Sequence, residues 1–303
     1  MFNNIKRKLL ISFLTLFVLS LVYLFPTNKQ YEETLKFKEA KYHSIYLLNK
    51  NILVETKIVS NNKTDILEQI KDIISSLTIN SPKSKYIDET YLPLIPENTK
   101  VLNLSLENNL LKINFSKEFL NVNKNTEEKV IESLIYSLTK LDEVKEIMIF
   151  IENEKLDCLP ISKKKLPLTL TKSFGINKVY NVNNVFTMDV LNLYYYTNIN
   201  DEYHLVPVSI FTNDNKDKVE IIIEELKTSP IHQSNLMSFL SSNAKVLDYE
   251  IKENTIRLEF SSYLLDSFFN DSLIEEVKYA ISKSFEDTLG ITNVSLVVNG
   301  KSI

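Results

Sequence analysis

KVLNLSLENNLLKINFS at residues 100–116 and KVLDYEIKENTIRLEFS at residues 245–261 align without gaps, at an offset of 245 − 100 = 145. In the first stretch Leu102, Leu104 and Leu106 alternate with other residues, Glu107, Asn108 and Asn109 break the run, and Leu111, Ile113 and Phe115 alternate again. The second stretch does the same with Leu247, Tyr249 and Ile251, then Ile256, Leu258 and Phe260. Two alternating runs around a polar break predict a β-hairpin with one buried face. Because the hairpin occurs twice, the chain reads as a duplication, and this decides the architecture.

The duplication extends outward from the hairpins. After each one comes a helical pattern at an offset of 277 − 130 = 147, with Val130, Leu134 and Leu138 matching Val277, Ile281 and Phe285 along one helix face. Asn125 with Glu128, and Ser272 with Glu275, have the spacing of a capping residue and an acid that reaches back to it. A last strand closes each copy: Ile147, Ile149 and Ile151 match Val294, Leu296 and Val298. Ahead of the hairpins, residues 45–48 and 53–59 read as strands, as do 191–196 and 205–211. A helix follows each pair, with Ile66, Ile70, Ile74 and Leu77 as the apolar stripe of one and Val219, Ile222, Ile223 and Leu226 of the other. The order strand, strand, helix, hairpin, helix, strand predicts an α+β fold, with two tandem copies of a small domain in which a mostly antiparallel sheet carries two helices on one face. The expected divisions are a tip and membrane anchor at 1–26, a stalk at 27–42, a first domain at 43–157, a linker at 158–189 and a second domain at 190–303.

At the N-terminus, Lys6, Arg7 and Lys8 precede an uncharged run at residues 9–25, which Pro26 ends. The run sits at the short end of a membrane-spanning helix, and basic residues before it predict a cytoplasmic N-terminus with both domains outside the cytoplasm. A cleaved signal peptide is the rival, but LVYLFPTNKQ lacks the small residues of a cleavage site. The expected location is thus the cell membrane, with a single pass.

Composition narrows the chemistry. Lys and Arg number 35 against 39 Asp and Glu, and the only arginines are Arg7 and Arg257, which speaks against nucleic acid as a partner. The three glycines, Gly175, Gly290 and Gly300, are too few and too far apart for a phosphate-cradling loop. Cys158 is the only cysteine, so no internal disulfide forms. The histidines His43, His204 and His232 have no second ligand at metal spacing, so no metal or cofactor is expected. Glu127 with Glu128 and Glu152 with Glu154 are acid pairs of the kind a glycoside hydrolase uses, yet one pair opens a helix and the other ends a strand. No catalytic residue is assigned. Tyr194, Tyr195 and Tyr196 offer either an interface or simple filling of core and sheet face. Lys163, Lys164 and Lys165 read either as a solvated linker or as a contact for anionic polymer.

At residues 43–303 the chain resembles the GerM family of spore-forming bacteria, which carries two GerMN domains behind a membrane anchor. The resemblance rests on LVPVSIF (205–211), on Ser229 and Pro230 after a helix, on the two hairpin stretches, on Pro96 and Thr99 ahead of the first, and on SFGIN (173–177). Asn109 and Asn254 stand where the family has turn glycines, and the family's lipid-modified cysteine is absent. The resemblance implies a non-enzymatic role in sporulation or spore germination, as an assembly scaffold similar to the ring-building modules of channels between mother cell and forespore. The partners it implies are other sporulation membrane or channel proteins, with self-assembly into a ring. The alternative is a surface module that binds cell wall or a small ligand.

Overall fold

The computed structural model describes residues 2–24, 42–60, 65–182, 188–228, 235–238, 240–267 and 271–303. The stalk apart from Tyr42, together with Ser229, Pro230 and His232, lies outside them. The chain divides into two compact units, residues 1–39 and 40–303.

The first unit contains α1 (Phe2–Leu24). Leu9, Leu10, Ile11 and Leu19 point to four sides of the axis at about 100° per residue, and all are exposed. A helix that is apolar all round calls for an apolar environment. The three cations at residues 6–8 nevertheless leave only residues 9–24 uncharged, about 24 Å of helix against the about 30 Å of a hydrocarbon core. Among the described residues no helix is long and apolar enough to cross a membrane, which corrects the expected spanning anchor.

The second unit holds both copies. The first runs β1 (Tyr42–Asn49), β2 (Ile52–Val59), α2 (Ile66–Leu77), β3 (Val101–Glu107), β4 (Leu110–Phe115), α3 (Glu127–Leu138), β5 (Glu146–Ile151) and β6 (Glu154–Lys155). After β7 (Val179–Asn181), the second runs β8 (Asp189–Ile199), β9 (Glu202–Thr212), α4 (Lys218–Leu226), β10 (Leu236–Met237), β11 (Val246–Lys252), β12 (Thr255–Phe260), α5 (Asp271–Leu289), β13 (Asn293–Val298) and β14 (Lys301–Ser302). The same mixed α+β order thus appears twice.

The strand pairs are mostly antiparallel, as expected, with two features that the alternation does not reveal. β4 and β5 run parallel, as do β12 and β13, because a helix lies in each connection and carries the chain back to start beside the strand it left. Side-chain alternation is the same in parallel and antiparallel pairs, so the sequence could not distinguish them. Each copy also has two sheets. β1 and β2 form a two-stranded sheet, with an isolated bridge from Leu48 to Leu92, and β8 and β9 join β10 and β7, while the hairpins form β3-β4-β5-β6 and β11-β12-β13-β14.

A helix takes the place of a neighbouring strand beside β1 and β8. On α3, the Ser137 hydroxyl accepts the Tyr46 N–H at 2.8 Å and the Ser133 hydroxyl donates to the Tyr46 carbonyl at 2.6 Å. On α5, the Ser284 hydroxyl accepts the Tyr194 N–H at 3.0 Å, and Thr288 both accepts from and donates to the Asn192 backbone. These hydroxyls satisfy strand groups that would otherwise be buried without partners.

The core follows the alternation. Phe115 and Phe260 are fully buried at equivalent places, beside the Leu134 and Leu138 face of α3 and the Ile281 and Phe285 face of α5. The tip of the first hairpin needs positive φ, and Asn108 and Asn109 adopt it at 50° and 64°, which asparagine tolerates. Both hairpins slip register at one residue, Leu102 or Leu247, leaving that leucine exposed on a bulged edge strand.

The expected helix starts are displaced. α3 begins at Glu127 after Thr126, which makes no side-chain cap bond, and the Asn125 N–H binds the Asn123 side chain instead. Ser272 lies inside α5. The side-chain caps sit on the other helices: Asp65 accepts from the Leu67 N–H of α2 at 3.0 Å, and Asp217 from the Val219 N–H of α4 at 2.8 Å.

Candidate functional site: the seam between the copies

Of the segment at 158–189, expected as a connector, residues 158–182 pack into the molecule and 183–187 lie outside the described residues. Leu159, Leu170 and Ile176 are buried, Leu170 bridges to Ile147, and β7 adds in parallel to β9. At its centre SFGIN threads between β2 of the first copy and β9 of the second. Gly175 has φ of 83°, and a Cβ there would lie 3.0 Å from that of Ser209, so glycine is required both by conformation and by close approach. The Ile176 N–H donates to the Ser209 hydroxyl at 3.0 Å, and the Ser209 N–H donates to the Ile176 carbonyl at 2.8 Å.

Asn177 spans the gap. It is 2% exposed, and its side-chain amide donates to the carbonyls of Leu53 on β2 at 2.9 Å and Pro207 on β9 at 3.0 Å. Its side-chain oxygen accepts the Leu53 N–H at 2.7 Å. Its own N–H is held by the Glu132 carboxylate of α3 at 3.0 Å. β2 and β9 are equivalent strands of the two copies, and one side chain ties both.

Charges flank this pin. Lys178 lies 2.7 Å from Glu128 and 3.7 Å from Glu132, with its ammonium 3.3 Å from the Phe174 ring centre. Burial pushes the Glu132 carboxyl above its ordinary value, against the opposing pull of Lys178 and Lys129, and burial lowers Lys178. Burial also pushes Glu128 up, but hydrogen bonds from Lys178 and Lys164 outweigh it and hold this carboxyl low. On the other side, Tyr46 donates to Glu55 at 3.0 Å, Lys140 binds the same Glu55 oxygen at 2.8 Å, and Tyr194 donates to Asp287.

The residues singled out from the sequence fall into structural positions. Glu127 and Glu128 do open α3, and both turn to the linker: Glu127 accepts the N–H groups of Ile161 at 2.8 Å and Ser162 at 3.0 Å. Glu152 sits in a turn at positive φ and accepts the Lys117 N–H, far in role from a paired acid. Tyr195 and Tyr196 are buried with hydroxyls on the carbonyls of Glu225 and Glu276, so the tyrosine run fills core and sheet face. Of the lysine run, Lys164 pairs with Glu128 at 2.9 Å and Lys163 binds the Pro160 carbonyl. His204 meets Tyr91 edge-on with ring centres 6.4 Å apart, and His43 is half-buried. Cys158 is a half-buried free thiol. Among the described residues no three His, Cys, Asp or Glu side chains gather as metal ligands. Sequence reasoning missed Asn177 and Glu132. SFGIN was the only signal for the first, and an acid on the apolar side of α3, between Ile131 and Leu134, was the signal for the second.

Comparison with known proteins places this geometry. The spore germination protein GerM of Bacillus subtilis is 25% identical over 285 residues, covering 91% of this chain and 77% of that protein. The solved tandem GerMN domains of B. subtilis GerM superpose with a TM-score of 0.77 at 24% identity, covering 86% of this chain and 92% of that one, so the tandem GerMN fold is shared. The model of the Germane family, described as sporulation and spore germination, matches residues 44–157 and 192–303, one copy each; the chain belongs to the Germane family.

Proposed function

We propose that the chain acts in sporulation or spore germination as a non-enzymatic scaffold associated with the cell membrane through its N-terminal helix, which is apolar all round. The observation that carries this reading is the family match over both copies, together with the similarity to GerM along nearly the whole chain. The arrangement of polar groups supports it. The acids and tyrosines weighed for chemistry bind backbone and lysines that hold the fold together. Its partners in this reading are sporulation membrane or channel proteins between mother cell and forespore, or further copies arranged in a ring. What remains for function is surface, and two similar domains present two similar surfaces to neighbours.

The test is a deletion strain of the source organism complemented with variants. The deletion should block completion of spores or their germination, and the intact chain should restore it. Charge reversal at Arg257 alone, which breaks its half-buried ion pair with Glu259 on the outer sheet face of the second copy, should fail to restore it while the protein accumulates at the membrane. Full complementation by every surface variant would refute the scaffold reading. Loss of function from a single acid-to-amide change with cleavage of cell-wall glycan by the purified protein would replace it with a hydrolase.

A further inference from the structure

We propose that Gly175, Ile176 and Asn177 form a latch, seated by Glu132, that locks the two copies into one rigid body, and that the charge next to Asn177 decides whether the latch holds. This stands whatever the chain assembles with.

Phe115 and Phe260 centre the two copies, and the buried apolar residues of both belong to one continuous cluster that includes Ile176. The strands that meet at the seam, β2 and β9, do not pair with each other along their length. The polar ties between them converge on one side chain that is nine-tenths buried and more. Asn177 supplies two donors and one acceptor there, and each is used: Leu53 carbonyl, Pro207 carbonyl and Leu53 N–H. An amide fits this position because the three partners require both polarities. The isosteric acid does not fit: it would keep the bond from the Leu53 N–H and turn an oxygen towards two carbonyls. It would also place a second negative charge beside the Glu132 carboxylate, which binds the Asn177 N–H at 3.0 Å. Lys178, next in sequence, contacts Glu132 at 3.7 Å but is engaged at 2.7 Å by Glu128, so it does not answer a second carboxylate fully. Gly175 lets the backbone approach Ser209 closely enough for Asn177 to reach across.

The consequence is an order among variants that packing alone does not give. Asn177→Ala removes three hydrogen bonds and leaves three backbone groups to water or to each other. Asn177→Asp, nearly identical in shape, should be worse. Glu132→Gln keeps an acceptor for the Asn177 N–H and removes the charge, so alone it should leave the latch closed, and combined with Asn177→Asp it should restore part of the loss.

The experiment uses the full chain in detergent, with Cys158→Ser and spin labels on thiols introduced at the exposed positions Glu107 and Lys252, one on each copy. Pulsed electron resonance reads the distance distribution, and thermal unfolding by circular dichroism reads cooperativity. The native seam should give one narrow distance and one unfolding transition. Asn177→Ala should broaden the distribution at least two-fold, and Asn177→Asp more, with secondary structure retained and unfolding split into two transitions. Glu132→Gln with Asn177→Asp should narrow it again. A broad distribution in the native chain, or an unchanged narrow one in both Asn177 variants, would overturn the latch. So would loss of secondary structure in Asn177→Ala, because the side chain removed contributes only hydrogen bonds at the seam, and so would equal effects of Ala and Asp with no rescue by Glu132→Gln.

Discussion

Replacing Phe115 by alanine tests the duplication at its centre. Phe115 is fully buried on β4, and its ring stacks on that of Phe119 with centres 4.6 Å apart and planes within 10°. Deleting a buried phenylalanine side chain typically costs about 3–5 kcal/mol, and a lost aromatic pair adds about 0.5–1.5 kcal/mol. Phe115→Ala should therefore fall near the top of that range, about 4–5 kcal/mol. Phe260 occupies the same place on β12, also fully buried, but its neighbour at the position of Phe119 is Leu264. Phe260→Ala should lose no comparable stack and cost about 3–4 kcal/mol. Urea unfolding followed by circular dichroism measures both, since the chain has no tryptophan to report by fluorescence. With the seam closed, either variant should shift one common transition, because unfolding one copy releases the other's β9 or β2 edge. A cost below about 1 kcal/mol at either position, or a large cost at one and none at the other, would refute the equivalence of the two cores.

Three further outcomes follow from the hydrogen bonds and charges. Ser137→Ala and Ser284→Ala should each cost about 1–3 kcal/mol in the same urea assay, because the Tyr46 and Tyr194 N–H groups lose their acceptor beside a helix that admits little water. Acid should weaken the fold through Glu55, Glu127 and Glu128. In each, burial pushes the carboxyl up and is outweighed, by Lys140 at Glu55, by Ser162 and the backbone of Ile161 at Glu127, and by Lys178 and Lys164 at Glu128. Their folded values lie below the unfolded value of about 4.3, so this stability is complete above that pH and is lost as pH falls through the folded values; melting temperatures from pH 6 down to about pH 3 should decline. Gly175→Ala should destabilise the seam through both positive φ and the contact with Ser209, visible as a lower melting temperature, whereas Gly290→Ala, with no neighbour near its added carbon, should suffer from φ alone.

The second hairpin strands, the helices and the last strands were legible because alternation and four-residue spacing report burial, whereas on the edge strands β3 and β11 none of the alternating residues is buried and Leu102, Leu247 and Ile251 stay exposed. Leu111, Ile113 and Phe115 are all buried, and so are Val130, Leu134 and Leu138. Strand direction was not legible, since Ile147, Ile149 and Ile151 alternate identically whether β5 runs with β4 or against it. The helix starts were misplaced because Asn125 and Glu128 have the right spacing, yet Glu127 and Glu128 are drawn to Ile161, Ser162, Lys164 and Lys178 some 35 to 50 residues away. The seam was hidden for the same reason. Asn177 looks like any polar residue of a loop until Leu53, 124 positions earlier, is brought beside it.

The meeting of β2 with β9 has a consequence for counting. These strands hold the same place in their respective copies, so the junction joins like to like, which is the geometry of a closed pair and not of a chain that can be continued. A third module could not be added by repeating the contact that joins the first two, because Asn177 already engages the one strand of this kind in each copy. Any larger array of these molecules must therefore grow by a second kind of contact, made elsewhere on the surface, and its modules must come in twos.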